Sequence, residues 1–322
     1  MLAVPGEPFD SPQHTFEVKW DGVRALAYKD GDRFWITTRN LKPALARFPE
    51  LSDLPAALAA ARVVIDGEII VFGADGRPDF DRVRARSAAR SPAAIARSAR
   101  SFPATYIAFD CLWRDGEDLM PLPLKERRRH LREVILPSPH LAAPEGVEGQ
   151  GRAFFAATAA EGLEGMVAKD LTSPYQPGKR SPSWVKVRNV KSADCVIGGF
   201  VPRGEHFLKS VLLGLYDAGR LLYVGHVGSG FSQDENRELR ALLGAIPAAR
   251  PPFAAIPPAC ARGAVWTQPH LVCTVEYLTL TSQGHLRHPV YRGIRSDKDP
   301  KQCHYEIELA SSLLPAVQKL HR

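Results

Sequence analysis

Apolar and polar residues alternate with a period of two early in the chain. Phe16, Val18 and Trp20 form one run, Val23, Ala25 and Ala27 a second, and Phe34, Ile36 and Thr38 a third. Asp21-Gly22 and Asp30-Gly31 separate the runs, and Asp-Gly between alternating runs is a hairpin signal. The pattern predicts three antiparallel strands joined by two tight turns. Residues 51–62 read as a short helix. Val63-Val64-Ile65 and Ile69-Ile70-Val71 flank Asp66-Gly67-Glu68 in a strand of the buried type. Residues 105–113 read as another strand, 124–135 and the Ala-rich 151–161 as helices, and 165–169 and 184–187 as short strands. A first domain is expected over 1–190.

The remainder, 191–322, changes character. Strands are expected over 196–200, 211–216 and 221–227, a helix over 234–243, and strands again at 265–266 and 272–280 after a proline-rich connection. About five strands with one helix suit a small barrel, and an oligonucleotide-binding (OB) barrel fits that count. No internal repeat is visible.

Length and composition agree with two folded domains. The chain has 322 residues, 45% hydrophobic and 24% charged, within the range of globular proteins. Its net charge is +7, and 30 of its 42 basic residues are Arg, a side chain suited to bidentate phosphate contacts. A polyanionic partner fits that balance. No apolar run approaches the ~18 residues of a membrane span, and the N-terminus lacks the form of a secretory signal. No membrane partner is therefore expected. The five cysteines (Cys111, Cys195, Cys260, Cys273 and Cys303) form no C-x-x-C pair, which argues against a cysteine zinc site and for a reducing cytoplasm. Neither a P-loop nor a G-x-G-x-x-G is present, so any nucleotide must be held another way.

Glu17-Val18-Lys19-Trp20-Asp21-Gly22-Val23-Arg24 places one lysine at a strand end, before a turn. A lysine amine is a nucleophile only when deprotonated, and neighbouring cations or a metal favour that form. Taken alone, the motif reads equally as an ordinary surface turn. Further elements follow in order: Thr38-Arg39-Asn40, Asp66-Gly67-Glu68, Phe109-Asp110, Glu164-Gly165-Met166-Val167-Ala168-Lys169 and Trp184-Val185-Lys186-Val187-Arg188. Gly225-His226-Val227-Gly228-Ser229-Gly230-Phe231 and Arg287-His288-Pro289-Val290-Tyr291-Arg292-Gly293-Ile294-Arg295-Ser296-Asp297-Lys298 complete the set. Singly, Phe109 could be core, Glu68 a strand cap, Lys186 an edge charge, and Arg295 and Lys298 a solvated face. Together and in this order they resemble the covalent nucleotidyltransferases, most closely the ATP-dependent DNA ligases. The details are similar to the ligase domain of bacterial end-joining ligase D and its stand-alone relatives, over nearly the whole chain.

The resemblance implies an α+β fold: a mixed antiparallel-sheet, ATP-grasp-like nucleotidyltransferase domain followed by an OB-fold β-barrel. It implies that Lys19 attacks the α-phosphate of ATP to form lysyl-AMP, that AMP passes to the 5′-phosphate of nicked duplex DNA, and that the 3′-hydroxyl displaces it. Glu17 would read the adenine edge and Phe109 would stack on the ring. Arg24 and Arg39 would lie near the ribose and the nick phosphate. Glu68 would hold the ribose or a metal, and Glu164 a metal, Mg²⁺ or Mn²⁺. Lys186 and Arg180 would contact the nucleotide. Arg188, which stands where the family usually has a second lysine, would contact the nucleotide as well, keeping the charge on a bulkier side chain. Arg295, Asp297 and Lys298 would close over pyrophosphate.

Other expectations follow. Six arginines and no acid occupy 82–100, either a DNA-backbone contact or a solvated segment. Lys125-Glu126-Arg127-Arg128-Arg129-His130 reads as an exposed helix face. Lys19 lies 18 residues in, so a minimal enzyme without a large N-terminal DNA-binding domain is expected, with a hinge at 191–194. The rivals are an RNA ligase, a GTP-dependent mRNA capping enzyme, or a non-catalytic nucleic-acid-binding protein. A cytoplasmic, nucleoid-associated monomer with a role in repair or end joining is expected, with Ku as a candidate partner.

Overall fold

The computed structural model describes residues 1–281 and 283–310. They fall into two compact units, Met1–Asn189 and one that begins at Val190. The strands of the first are β1 (Leu2–Pro5), β2 (Ser11–Val18), β3 (Val23–Asp30), β4 (Arg33–Thr38), β5 (Arg62–Val71), β6 (Ala104–Arg114), β7 (Glu117–Asp118), β8 (Leu141–Ala142), β9 (Val147–Gly149), β10 (Gly165–Asp170) and β11 (Arg180–Arg188). Its helices are α1 (Phe80–Ala88), α2 (Pro92–Ser101), α3 (Leu124–Val134) and α4 (Gly151–Ala160).

Two mixed sheets organise this unit, ordered β1-β11-β10-β2-β9 and β4-β3-β5-β6-β7, with β8 added to β6. Strand alternation gives each sheet two unlike faces. In the first sheet, Phe16, Met166, Ala168 and Val187 form one face and pack with Phe154 and Phe155 of α4. The opposite face carries Glu17 against Val167, Val167 against Lys186, Lys169 against Trp184, and Gly165 against Arg188. In the second sheet, Ala25, Ala27, Ile36, Ile65 and Ile69 face a core that includes Leu51, Leu54, Val83, Leu131 and Val134. Its other face carries Leu26, Val64 and Phe109, which meet Met1, Tyr175, Val167 and Trp184 of the first sheet and its neighbouring loops. The polar ends of both inner faces therefore border one gap.

Several expectations change. The run containing Phe16 and Val18 does not pair with the next one. It joins β10 and β9, while β3 pairs with β4 and β5. Asp21-Gly22 is thus a crossing between sheets and not a hairpin turn. A Cβ on Gly22 would lie 2.3 Å from the Ile69 carbonyl oxygen, so only glycine lets the chain pass this close to β5. Asp30-Gly31 does form a hairpin, with Asp30 opposite Arg33 and Gly31 at a φ of 57°. The helix expected over 51–62 is a 3-10 run, Pro49–Ala57, with Pro55 inside it. Proline has no N–H to donate and disfavours a continuing α-helix.

The basic stretch of α3 is only partly exposed. Leu124, Arg127, Arg128, Leu131 and Val134 form its buried stripe at helical spacing. Arg127 meets both oxygens of Asp110 at 2.8 and 2.9 Å, with both side chains fully buried, and its remaining donors reach the carbonyls of Leu122 and Ser173. In the 82–100 run, Arg86 is buried against Glu50 and the carbonyls of Phe102 and Arg47. Arg82 pairs with Asp79 and lies over Phe102. Arg90, Arg97 and Arg100 are exposed and make no ion pair among the described residues.

The second unit contains β12 (Lys191–Arg203), β13 (Phe207–Asp217), β14 (Arg220–Val227), β15 (Val265–Tyr277), β16 (Thr279–Leu280), β17 (Leu286–Arg287) and β18 (Val290–Ile294). Its helices are α5 (Gln233–Gly244), α6 (Pro258–Ala261) and α7 (Tyr305–Glu308). The main sheet runs β14-β13-β12-β15-β18 around a core including Val196, Leu213, Val224 and Val275. Among the described residues the sheet of the expected OB barrel is not closed. β14 and β18 stay at opposite edges of the ladder, and just past the end of β14 the Ser229 carbonyl accepts the Tyr291 N–H of β18 at 2.9 Å. Pairing stops there because the chain past Val227 turns into α5, whose start is fixed by a capping box between Ser232 and Glu235. Residues 191–194, expected as a hinge, are instead laddered in β12 against residues 274–277 of β15.

Arg127→Ala would leave Asp110 buried and uncompensated, and is expected to cost about 3–5 kcal/mol. Urea unfolding checks this; a loss near that of an exposed pair would show that Asp110 is not sealed from water.

Candidate active site

Lys19 follows directly on β2, and its N–H donates to the Gly165 carbonyl at 2.9 Å, continuing the ladder with β10. Its Nζ lies 2.5 Å from Oε2 of Glu164. The other Glu164 oxygen lies 3.3 Å from Nε of Arg188. Asn189 secures this corner: its N–H donates to the Glu164 carbonyl and its side-chain amide to the Leu163 carbonyl, both at 2.9 Å. One carboxylate thus gathers Lys19 and Arg188. Lys186 lies on the same face of β11. Burial, then the charges of Arg188, Arg180 and Lys19, lower its ammonium below the ordinary value, with Glu164 opposing. Arg180 starts β11 and donates to the Ala3 carbonyl at 2.6 Å.

The second sheet supplies another charged group. Arg24 binds Asp66 through two bonds, at 3.1 and 2.6 Å, and donates to the Met1 carbonyl at 2.6 Å. The Tyr175 hydroxyl donates to Asp66 at 2.8 Å. Much of the Arg24 guanidinium is therefore committed to protein partners, and Asp66 is the residue that commits it. Glu68, two positions along β5, is half-buried and makes no hydrogen bond or ion pair among the described residues. Burial pushes its carboxyl up to about 8, with the charges of Lys19 and Arg24 opposing.

Phe109 stands edge-on to Trp184, with ring centroids 6.1 Å apart. The Lys169 ammonium lies 4.3 Å from the Phe109 centroid and 4.6 Å from that of Trp184. Lys169 also bonds Oε2 of Glu17 at 2.6 Å, while Arg128 holds Oε1. The Glu17 carboxylate is thus taken up by two buried cations. Arg39 is exposed after β4, and only its backbone N–H, donating to the Arg24 carbonyl at 3.1 Å, ties it to the site.

In the second unit, Arg295 grips Asp297 at 2.8 and 2.9 Å and reaches Asp194 at 2.9 Å. Lys298 contacts Asp194 at 2.9 Å and Glu308 at 2.5 Å, and Asp194 accepts the Thr274 hydroxyl at 2.6 Å. These three expected residues therefore sit in an ion network built on Asp194 and Glu308.

Sequence reasoning quoted Asp66, Lys169 and Trp184 in its motifs without giving them a role, and gave none to Tyr175 and Arg128 in the first unit or to Asp194 and Glu308 in the second. Arg128 had a signal: it falls in the stripe Leu124, Arg127, Arg128, Leu131, where an apolar helix would bury its residues. No three His, Cys, Asp or Glu converge as a ready metal cluster among the described residues. The unpaired Glu68 and the Glu164 carboxylate suit a hard cation that also takes phosphate oxygens, as Mg²⁺ does.

Residues 5–188 match the family model of the ATP dependent DNA ligase domain, and residues 204–298 match that of the ATP dependent DNA ligase C terminal region. The chain belongs to the ATP-dependent DNA ligase family. The multifunctional non-homologous end joining protein LigD of Mycolicibacterium smegmatis is 34% identical over 313 residues, covering 95% of this chain and 39% of that relative. A DNA ligase of Thermococcus onnurineus is 31% identical, covering 89% of this chain and 52% of its own length. The chain thus spans about two fifths of the LigD-type relatives it matches. A solved structure of mycobacterial DNA ligase D complexed with ATP and MES superposes with a TM-score of 0.54 at 32% identity, covering 94% of this chain and 96% of that one. ATP is the nucleotide that the family name carries.

Glu68 allows a test of this site by pH. An unfolded glutamate titrates near about 4.3. Above that value and up to the raised folded value, the folded chain binds more protons, so stability falls as pH rises. Glu68→Gln removes this fall. Without nucleotide or divalent metal, the variant should gain stability relative to wild type from about pH 5 to about pH 8 in chemical unfolding. A constant difference across that window would show that the carboxylate is not desolvated.

Proposed function

We propose that this chain seals nicks between a 5′-phosphate and a 3′-hydroxyl in duplex DNA through a lysyl-AMP intermediate. The observation that carries the reading is the convergence of Lys19, Glu164, Lys186 and Arg188 on one sheet face, within the span matched by the ligase-domain model. In the first step Nζ of Lys19, as the free amine, forms a bond to the α-phosphorus of ATP. The bond from that phosphorus to the bridging oxygen breaks and pyrophosphate leaves with the electron pair. In the second, a 5′-phosphate oxygen attacks the same phosphorus, the N–P bond breaks and Lys19 is regenerated. In the third, the 3′-hydroxyl attacks the 5′-phosphate and AMP leaves. Splitting one hard displacement into such steps is the advantage of a covalent intermediate.

Phosphoryl transfer depends mainly on positioning and on neutralising charge. Lys186, Arg188 and Arg180 border the Lys19 amine and suit the α-phosphate and its leaving group. Arginine at 188 keeps the charge and adds a second donor direction to Glu164. Glu68 and Glu164 would hold Mg²⁺ or Mn²⁺, which supplies charge neutralisation at phosphate oxygens when bound. Phe109 and Trp184 offer aromatic surface to the base, and Arg24 and Arg39 cationic surface to sugar and nick phosphate. In the C-terminal unit, Arg295, Asp297 and Lys298 are assigned to pyrophosphate, which requires exchange of their partners Asp194 and Glu308. The exposed Arg90, Arg97 and Arg100 are assigned to the DNA backbone. Repair or end joining, in a cytoplasmic, nucleoid-associated monomer with Ku as partner, is the cellular setting proposed. The LigD-type relatives named for end joining and the unpaired cysteines support it.

Lys19→Ala should retain binding to nicked duplex and lose both sealing and covalent label from α-labelled ATP. Labelling of wild type by GTP in preference to ATP would point instead to a capping-type enzyme. The triple change Arg90→Ala, Arg97→Ala and Arg100→Ala should weaken binding to nicked duplex at low salt. It should also lower the slope of log affinity against log salt, by about 0.9 for each phosphate no longer neutralised. An unchanged slope would make this surface merely solvated.

A further inference from the structure

Glu17, two residues before Lys19, is bonded on both carboxylate oxygens, and its two partners come from different parts of the fold. Arg128 reaches Oε1 from the buried stripe of α3, and Lys169 reaches Oε2 from β10 at 2.6 Å. All three side chains are nearly sealed from solvent, at 8% for Arg128, 3% for Lys169 and 10% for Glu17. Arg128 is itself steadied by the Pro144 carbonyl at 3.1 Å and by Glu145 at 3.4 Å. The loop behind it is moulded to Glu17, since a Cβ on Gly146 would lie 3.0 Å from Cγ of Glu17 and 2.1 Å from the Thr15 hydroxyl.

Lys169 has a second role in this geometry. The ammonium that bonds Glu17 also lies over the faces of Phe109 and Trp184. The carboxylate, the cation and the aromatic surface assigned to the base are therefore one contiguous group. A salt bridge needed only to join α3 to the sheet would require one cation. This acid has one on each oxygen, placed beside the rings.

We infer that Arg128 and Lys169 are positioning residues that set the choice of base by holding Glu17 as a fixed, acceptor-only group. A carboxylate bonded to two cations accepts hydrogen bonds and offers none. Its free lone pairs favour a purine with a donor at the six-position, the amino group of adenine. A purine with a six-position carbonyl oxygen sets acceptor against acceptor. The inference rests on the proposed reading that Glu17 faces the edge of the base.

The test measures the specificity constant for covalent labelling of Lys19 with two nucleotides, ATP and ITP, which differ at the six-position. Wild type should strongly prefer ATP. Arg128→Met, which removes one charged hydrogen bond, should lower the ATP-over-ITP ratio by about tenfold or more. Arg128→Lys should restore most of it. Lys169→Met removes the bond to the other oxygen and reads the same ratio, so the outcome does not depend on one variant folding. A ratio unchanged in whichever variant folds, with both nucleotides slowed equally, overturns the inference and leaves the clamp a structural brace. Equal use of ATP and ITP by wild type overturns the premise that Glu17 faces the base. Absence of label from either nucleotide overturns the ligase reading itself.

Discussion

The constraint on which the first unit depends is that charge inside a gap between two sheets must be paired. An ionised group taken out of water costs several kcal/mol unless partners replace its hydration. The gap borders Lys19, Arg24 and Lys169, and acids from both sheets and from the turn at Glu164 answer them. Glu164 takes Lys19 and Arg188, Asp66 takes Arg24, and Glu17 takes Lys169 and Arg128. Asp110 with Arg127 sits deeper and braces β6 against α3. Glu68 is the exception. Among the described residues it has no hydrogen-bonded or ion-paired partner, and burial pushes its carboxyl up to about 8.

The same principle shapes the C-terminal unit. Arg295 and Lys298 share Asp194, and Lys298 shares Glu308. These cations are already bonded, so using them on pyrophosphate means trading one set of anions for another. The Arg295–Asp297 pair is partly exposed and contributes little net energy, whereas Asp194 and Glu308 are nearly buried.

Much of the local structure was legible in the sequence because it depends on neighbours along the chain. The buried run around Asp66, the aromatic-rich strand through Phe109, and the helices after Pro123 and Gln150 have periods that identify them without further context. Strand partners did not show. The alternation of Phe16, Val18 and Trp20 specifies a strand but not its sheet, and Asp21-Gly22 looks the same in a hairpin as in a crossing. Only the approach of Gly22 to Ile69 distinguishes the two. The basic stretch of α3 misled because charge suggests solvent, whereas Arg127 and Arg128 are buried with acids far away in sequence. The ordered motifs contained Glu17, Asp66, Glu164 and Lys169, but did not show which charge each one holds. Those partnerships follow from the register of β2, β10 and β11 and from the facing of two sheets, which no single segment encodes.

The account turns on Lys19 as the group that carries the nucleotide. Incubation with ATP and divalent metal, followed by proteolysis and mass spectrometry under conditions that preserve a phosphoramidate, addresses it directly. The prediction is a single AMP adduct on the peptide containing Lys19, removed when nicked duplex is added. An adduct on Lys186 or Lys169 instead, or none on any lysine, would contradict it.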